Sequence, residues 1–395
     1  MKKKPLFFGI ILVLILNFMA FPASAALTSG DYEYKLDGEN AVITKYIGKA
    51  EHVEIPADLD GFTVVEIGYH AFYDCMYVIS IVIPHGVITI ADGAFAQCRN
   101  LESVVIPNGV TSIGIVAFYH CPRLLSIDLP DSVTDIGHAA FEFCAGLTSV
   151  TLSKSITDIK YHTFTSCAMD SIEIPDGVIS IDEEAFGHCK NLTSVTFPKS
   201  VTFLDYGAFY TCPNLREVVF LNPETVIQET GYRERSMYDN YAPHFVEHYP
   251  TFNENPLSVY GFEGSTAHTF ALNQGKTFIP IANVTLDGRL LSFDVPPQLI
   301  DDRTMVPMRK IFEELDADVT WTEDTQTITA VKGDIEIIMQ IGNNEITVNG
   351  KSIELDVAPT LVNSRTLVPI RAVSESLNAD VQWDDQNKTV IITTS

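Results

Sequence analysis

The sequence predicts a mixed, β-rich chain. A solenoid of seven short coils, about 23 residues each, is followed by a C-terminal α+β domain made of two similar halves. Three observations carry that reading. Phe72, Phe95, Phe118, Phe141, Phe164, Phe186 and Phe209 recur at steps of 23, 23, 23, 23, 22 and 23 residues. All seven cysteines, Cys75, Cys98, Cys121, Cys144, Cys167, Cys189 and Cys212, lie three residues after one of those phenylalanines. The segment from Val284 aligns with the segment from Ile346 at an offset of 62. A short period held this tightly is the mark of coils that stack on one another.

In chain order, residues 1–25 come first. Lys2, Lys3 and Lys4 precede an apolar run from Leu6 to Phe21, and Ala23-Ser24-Ala25 follows. A basic start, a short apolar centre and a small-residue cleavage site read as a secretory signal peptide. The run is short for a membrane span and Asn17 interrupts it. The expected destination is outside the cell, either secreted or associated with the cell wall, with no membrane insertion after cleavage. Three lysines and no acids leave with the leader, so the formal charge of −26 becomes −29. Such a chain repels phosphate backbones and anionic lipid, which excludes nucleic acid as a partner. A hydrophobic content of 46% supports large cores.

Residues 26–67 alternate like strands and reach Ile55-Pro56, but lack the Phe–Cys corner. They read as the N-terminal cap that a solenoid's first open face needs. The solenoid spans 68–222, and "LESVVIPNGVTSIGIVAFYHC" shows one unit. Val104 and Ile106 alternate with Val105, as in a half-buried strand. Pro107 ends that strand because it has no N–H to donate. Gly109 turns the chain into a second short strand with Val110 and Ile113 inward, and Ala117-Phe118 begins the corner. Stacked coils would align the phenylalanines in one buried spine and the cysteines in another, each thiol packing as a small hydrophobe. Neighbouring cysteines would lie within bridging distance, but parallel side chains give poor disulfide torsions and seven cannot all pair. The fifth unit, "CAMDSIEIP", is one residue short, lacks the leucine of Leu101, Leu124, Leu147, Leu192 and Leu215, and is expected to pack less well.

The seven in-phase copies, "IPNGVTSIGIVAFYHCPRLLSIDLP" above all, resemble the BspA-like leucine-rich repeat surface proteins over about residues 30–280. The resemblance implies a secreted or cell-surface binding protein, often adhesive, and not an enzyme.

Residues 223–282 read as a last coil carrying an inserted loop and then a closing cap. In the loop, residues 228–256, Tyr232, Tyr238, Tyr241 and Tyr249 offer amphipathic contact area for a partner. "HFVEH" places His244, Glu247 and His248 at the spacing of an H-x-x-E-H zinc peptidase. Pro243 and Pro250 leave at most two helical turns, and 29 residues cannot hold a catalytic domain. Zinc hydrolysis is therefore the remote alternative, with His244 and His248 as weak metal candidates, and no cofactor is expected.

In residues 283–395, Gly288 corresponds to Gly350, Asp294 to Asp356, Arg303 to Arg365, Pro307 to Pro369, Arg309 to Arg371 and Trp321 to Trp383. Each half reads as strand, tight turn, strand, loop, short helix, then strands, and Asp287-Gly288 and Asn349-Gly350 are hairpin signals. Pro307 suits a first helical turn, with Met308, Ile311, Phe312 and Leu315 as the apolar face. The doubled "RT-x-VP-x-R … A-D-V-x-W" resembles the copper amine oxidase N-terminal-like, or stalk, domain. The stretch holds no His and no Cys, so copper chemistry has no imidazole to use. The resemblance implies an accessory module, a spacer or an envelope-attachment domain. Arg303, Arg309, Arg365 and Arg371 are expected to pair with Asp294, Asp302 and Asp356; the other reading gives them an anionic wall polymer.

Outward strand positions supply the expected binding surface: Glu102, Asp128, Thr148, Thr151, Asp170, Glu173, Thr193 and Thr196. This polar, mildly acidic strip suits an extracellular protein or glycan, a cell-wall polymer being one case. Ser80, Ser103, Ser126, Ser149, Ser171 and Ser194 form a second row, expected to hydrogen-bond along the stack. The alternative function is a structural envelope spacer without a dedicated ligand.

Overall fold

The structure, a computed structural model, describes residues 26–232, 248–252, 256–362 and 364–394. The leader at 1–25 and Tyr238, Tyr241 and His244 lie outside the described residues.

The solenoid has the two strands per coil that the repeat predicts. Ser103–Val105 and its equivalents form one wall, and Ser112–Ile113 and its equivalents another. Coils pair in parallel and in register, for example Ser80↔Ser103, Ile81↔Val104 and Val82↔Val105. The third wall is the corner itself. Residues two before and two after each Phe are left-handed, as at His162 (φ 57°) and Ser166 (φ 62°) around Phe164. This alternation aims every second N–H at the next coil: Gln97 donates to the Tyr119 carbonyl, Phe95 to Ala117 and Gly93 to Ile115. The intervening amides donate back three residues, as Cys98 does to Phe95. At this corner every amide from Gly93 to Cys98 has a carbonyl partner, as a buried turn requires.

Stacking puts ring over ring. Successive phenylalanine centroids from Phe72 to Phe209 lie 5.1–5.6 Å apart, and the rings are fully buried. Burial of each is worth about 1.5–3 kcal/mol. Two rings outside the repeat extend the column. Tyr46 stacks on Phe72 at 4.9 Å and Phe252 on Phe209 at 5.6 Å. Phe252 lies 43 residues after Phe209 where the period allows 23, so 20 residues are inserted within that coil. The insertion is closed at its base by an antiparallel ribbon, Thr230–Tyr232 against His248–Pro250.

All seven cysteines are free. Six donate their thiol to the carbonyl of the phenylalanine in the preceding coil, from Cys98 to Phe72 at 3.0 Å through Cys212 to Phe186 at 3.1 Å. Cys75 has no such coil before it and is half-buried.

The short fifth coil is better packed than its sequence suggests. Met169 is fully buried where the other coils place leucine, because the deletion brings it into that slot. The walls are divided into several sheets, but the breaks do not follow the deletion. Ser149–Thr151 and Ser171–Glu173 are not joined in one sheet, and neither are Ser103–Val105 and Ser126–Asp128 in regular coils, whereas Asp158–Ile159 and Ser180–Ile181 pair across the deletion.

The ends differ. Leu27–Ser29, Tyr32–Asp37 and Asn40–Tyr46 are antiparallel neighbours, and the last passes the sheet in parallel to Phe62–Ile67. At the far end come strand Ser258–Gly261, helix Thr266–Asn273 and strand Thr277–Pro280. The helix buries Ala267, Phe270 and Ala271 against the open coil.

A separate core, from Val284 to Ile392, organises the C-terminal domain. Arg303–Pro307 pairs antiparallel with Arg365–Pro369, Val306 opposite Val368. Since Val368 is the equivalent of Val306, this register is a two-fold relation between the halves. The halves also interlock: the opening strand Asn283–Leu286 pairs with the closing strand Thr389–Thr393. Three expectations need adjusting or stand. The segment read as loop before the helix is a hairpin, Gln298–Ile300 against Arg303–Pro307, turning on left-handed Asp301 and Asp302. Pro307 ends that strand and precedes the helix Met308–Glu314 rather than entering it. The apolar face Met308, Ile311, Phe312 and Leu315 is buried as predicted.

Candidate binding surface

Each first strand turns its middle residue inward, so Ile81, Val104, Ile127, Ile172 and Val195 are buried and their flanks point out. Asp128, Thr148, Thr151, Asp170, Glu173, Thr193 and Thr196 are exposed. Glu102 is half-buried because Arg123 of the next coil folds onto it as an ion pair. Thr151 donates to the Asp128 carboxylate at 2.7 Å, and Thr193 to the Asp170 carbonyl at 3.1 Å. Part of the strip's polarity thus joins coil to coil, and the rest faces solvent.

The serine row behaves otherwise than expected. Ser126 lies opposite Ser149 and Ser171 opposite Ser194, but no hydroxyl of the row bonds to another. These positions are exposed, apart from half-buried Ser80. Ser171 donates to Asp170 at 3.1 Å, and Ser80 meets His52 at 2.8 Å. The cross-coil side-chain ladder is made of asparagine instead: Asn100, Asn191 and Asn214 donate to the Met76, Ala168 and Lys190 carbonyls of the preceding coils.

The N-terminal part of the same strip is apolar. Val82 is 40%, Val105 55% and Leu125 54% exposed, and Met76 and Tyr77 lie just upstream of Val82. Val82 and Val105 are direct neighbours across the sheet. The signal was present in "SIVIP" and "SVVIP", where valine stands in the slot that Asp128 and Thr151 occupy later.

On the corner, residues that no motif or spacing links form a buried cluster. His162 Nδ1 lies 3.1 Å from Glu142 Oε1 and Nε2 3.2 Å from Glu184 Oε2, with all three side chains at most 13% exposed. The second contact lacks hydrogen-bond alignment and is coulombic. Burial alone would lower the imidazole pKa, but the two carboxylates outweigh it and raise it to about 9.

In the C-terminal domain, Arg303 Nε meets Asp356 Oδ2 at 2.6 Å and Arg365 Nε meets Asp294 Oδ2 at 2.6 Å. Each pair crosses from one half to the other, as the two-fold relation demands. The remaining pairing expectation fails. Arg371 reaches Glu375 at 3.9 Å, Arg309 forms no ion pair among the described residues, and Asp302 offers Arg303 only its carbonyl. Arg309 and Arg371 sit on helices, beyond the loops that the aspartates occupy. A groove of about 860 Å³ opens beside Arg371, Trp383 and Leu355.

Of the inserted loop, Tyr232, His248 and Tyr249 are placed in the closing ribbon. His248 opens a strand rather than lying in a helix. Among the described residues no group of three His, Cys, Asp or Glu is placed to hold a metal.

Comparison with known proteins gives both parts their class. Residues 65–167 and 158–243 match the BspA type leucine rich repeat region, in six copies, and residues 285–392 match the copper amine oxidase N-terminal domain. The chain thus carries a BspA-type leucine-rich repeat solenoid and a copper amine oxidase N-terminal domain, the latter a non-catalytic region. Such repeat proteins are commonly surface-associated and bind protein partners. Among the described residues no helix is long and apolar enough to cross a membrane. A leucine-rich repeat protein of T. pallidum is 30% identical, covering 49% of this chain and 81% of its own, with a TM-score of 0.38. One from Bacteroides ovatus is 24% identical, covering 50% and 71%, with a TM-score of 0.37. A protein named protease inhibitor from Brevibacillus choshinensis is 31% identical over 87 residues, 22% of this chain. The chain spans 27% of that relative's length.

Proposed function

We propose that this is an exported, cell-surface or wall-associated binding protein without catalytic activity. The outward strand face of the solenoid contacts an extracellular protein or glycan, and the C-terminal domain serves as the accessory, envelope-associated module. One observation carries the reading. The inward residues of every coil are alike, whereas the outward ones change from Val82, Val105 and Leu125 to Thr148, Thr151, Asp170 and Glu173. A spacer needs only the constant part. A surface that varies over a constant core, with an exposed apolar end, is what recognition uses.

The test uses the full chain against immobilised collagen, mucin and purified peptidoglycan. Saturable binding to at least one is expected. Val105→Asp with Leu125→Asp, or Thr151→Arg with Glu173→Arg, should weaken it at least tenfold without changing the melting temperature. Binding that neither pair of substitutions alters, or no binding to any surface, supports the spacer and overturns the reading. Cell fractionation should find the protein in wall or medium, and a cytosolic pool would remove the export half of the proposal.

A further inference from the structure

The groove in the C-terminal domain lies between two strand edges. Asp380–Asp384 is the outer strand of one sheet and Lys351–Glu354 the outer strand of the other. The groove is lined by the consecutive residues Val381, Gln382 and Trp383, and by the run from Ile353 to Asp356. Successive residues of a strand point to opposite faces. A groove touched by all of them therefore runs along the strand's edge, where backbone N–H and C=O groups have no sheet partner.

The two halves differ in sequence at this place. At the equivalent place in the first half, Arg289 and Lys310 both pair with Glu314. The residues at those three positions in the second half are Lys351, Ala372 and Ser376. Ala372 and Ser376 both line the groove, and neither can take part in an ion pair that would span it.

Charge narrows the occupant. Of the groove's carboxylates, Asp356, Asp385 and Glu375 face Arg303, Lys388 and Arg371. Glu263, Asp302 and Glu354 also line the groove, and among the described residues none of the three lies within ion-pair distance of a basic group. The indole of Trp383 is 37% exposed and offers a flat apolar and cation-accepting face.

We propose that this groove binds an extended, basic peptide segment by strand addition to one of its two open edges, with Lys or Arg side chains taken by Glu354, Asp302 and Trp383. Main-chain hydrogen bonds to the edge supply affinity, and the carboxylates and the indole supply selection. The site is separate from the solenoid face, so it stands or falls independently of the function proposed above.

The two tryptophans of the chain are Trp321 and Trp383, so Trp321→Phe leaves full-length protein whose emission reports the groove alone. Titration with an alternating Lys-Val octapeptide should shift Trp383 emission saturably. The Glu-Val counterpart and a chito-oligosaccharide should not. Glu354→Lys with Asp302→Lys should weaken the Lys-Val peptide at least tenfold while leaving the melting temperature in place. Deuterium exchange at Val381–Trp383 or Ile353–Glu354 should slow when the peptide is bound. No saturable shift, an equal response to the acidic peptide, a response to the saccharide alone, or indifference to charge reversal would each overturn the assignment.

Discussion

The solenoid and the C-terminal domain both repeat a sequence unit, one by translation and the other by a half-turn. Translation lays like on like, so each coil touches only its neighbours and the same thiol–carbonyl contact recurs from Cys98 to Cys212. The half-turn brings unlike ends together, so Arg303 meets Asp356 and Arg365 meets Asp294. A translational repeat tolerates an irregular unit: the fifth coil loses a residue, Met169 fills the gap, and Asp158–Ile159 still pairs with Ser180–Ile181 across the deletion. A rotational repeat has no neighbour to absorb change, but divergence between its halves creates difference, as where Ala372 and Ser376 stand in place of the ion-paired Lys310 and Glu314.

The largest test of this contrast removes one ring from each core. Phe141→Ala empties the middle of the aromatic column and should cost about 3–5 kcal/mol. Phe312→Ala should cost the C-terminal domain a similar amount. In calorimetry each should lower one transition and leave the other in place. A shared shift would mean that the two repeats melt as one unit.

The second test is confined to the solenoid. The His162 pKa is raised in the fold to about 9 from 6.5. Its contribution is therefore complete below about pH 6.5 and is lost as pH rises through about 9. The loss is at most about 3 kcal/mol. Denaturation midpoints between pH 6 and 10 should fall in the native chain and stay flatter in His162→Asn, asparagine being tolerated at φ 57°. Equal slopes would remove the cluster from the account.

The smallest effect belongs to the half-turn. Arg303→Ala and Arg365→Ala sit in equivalent, largely exposed pairs, so each should cost about 0.2–1 kcal/mol, the same within error, and less in high salt. A large inequality would break the symmetry argument.

Much of this was legible before the fold was known, because periodic sequence maps directly onto stacked space. The phenylalanine spacing predicted the ring column, and "SVVIP" predicted which residues point in. What escaped was non-periodic or conformational. Tyr46 and Phe252 join the column from outside the repeat, and no spacing rule links residue 252 to residue 209 across 20 inserted residues. The left-handed corner positions are held by residues such as Val116 and Phe143 rather than by glycine alone, so composition does not announce it. Glu142, His162 and Glu184 belong to three different coils, and only stacking joins them. The outward polar slots were readable one by one, but the serine row was assigned contacts that exposed hydroxyls do not make.

The claim beneath all of this is that side chains of one kind lie over one another without covalent links. Counting thiols tests it most directly. Alkylation in strong denaturant without reductant should add seven groups to the chain. Native protein should label at Cys75 alone, and slowly, since burial first and then Asp74 push that thiol up to about 11. Fewer than seven groups in denaturant, with the remainder appearing only after reduction, would show bridges where the structure has free stacked thiols and would contradict the account.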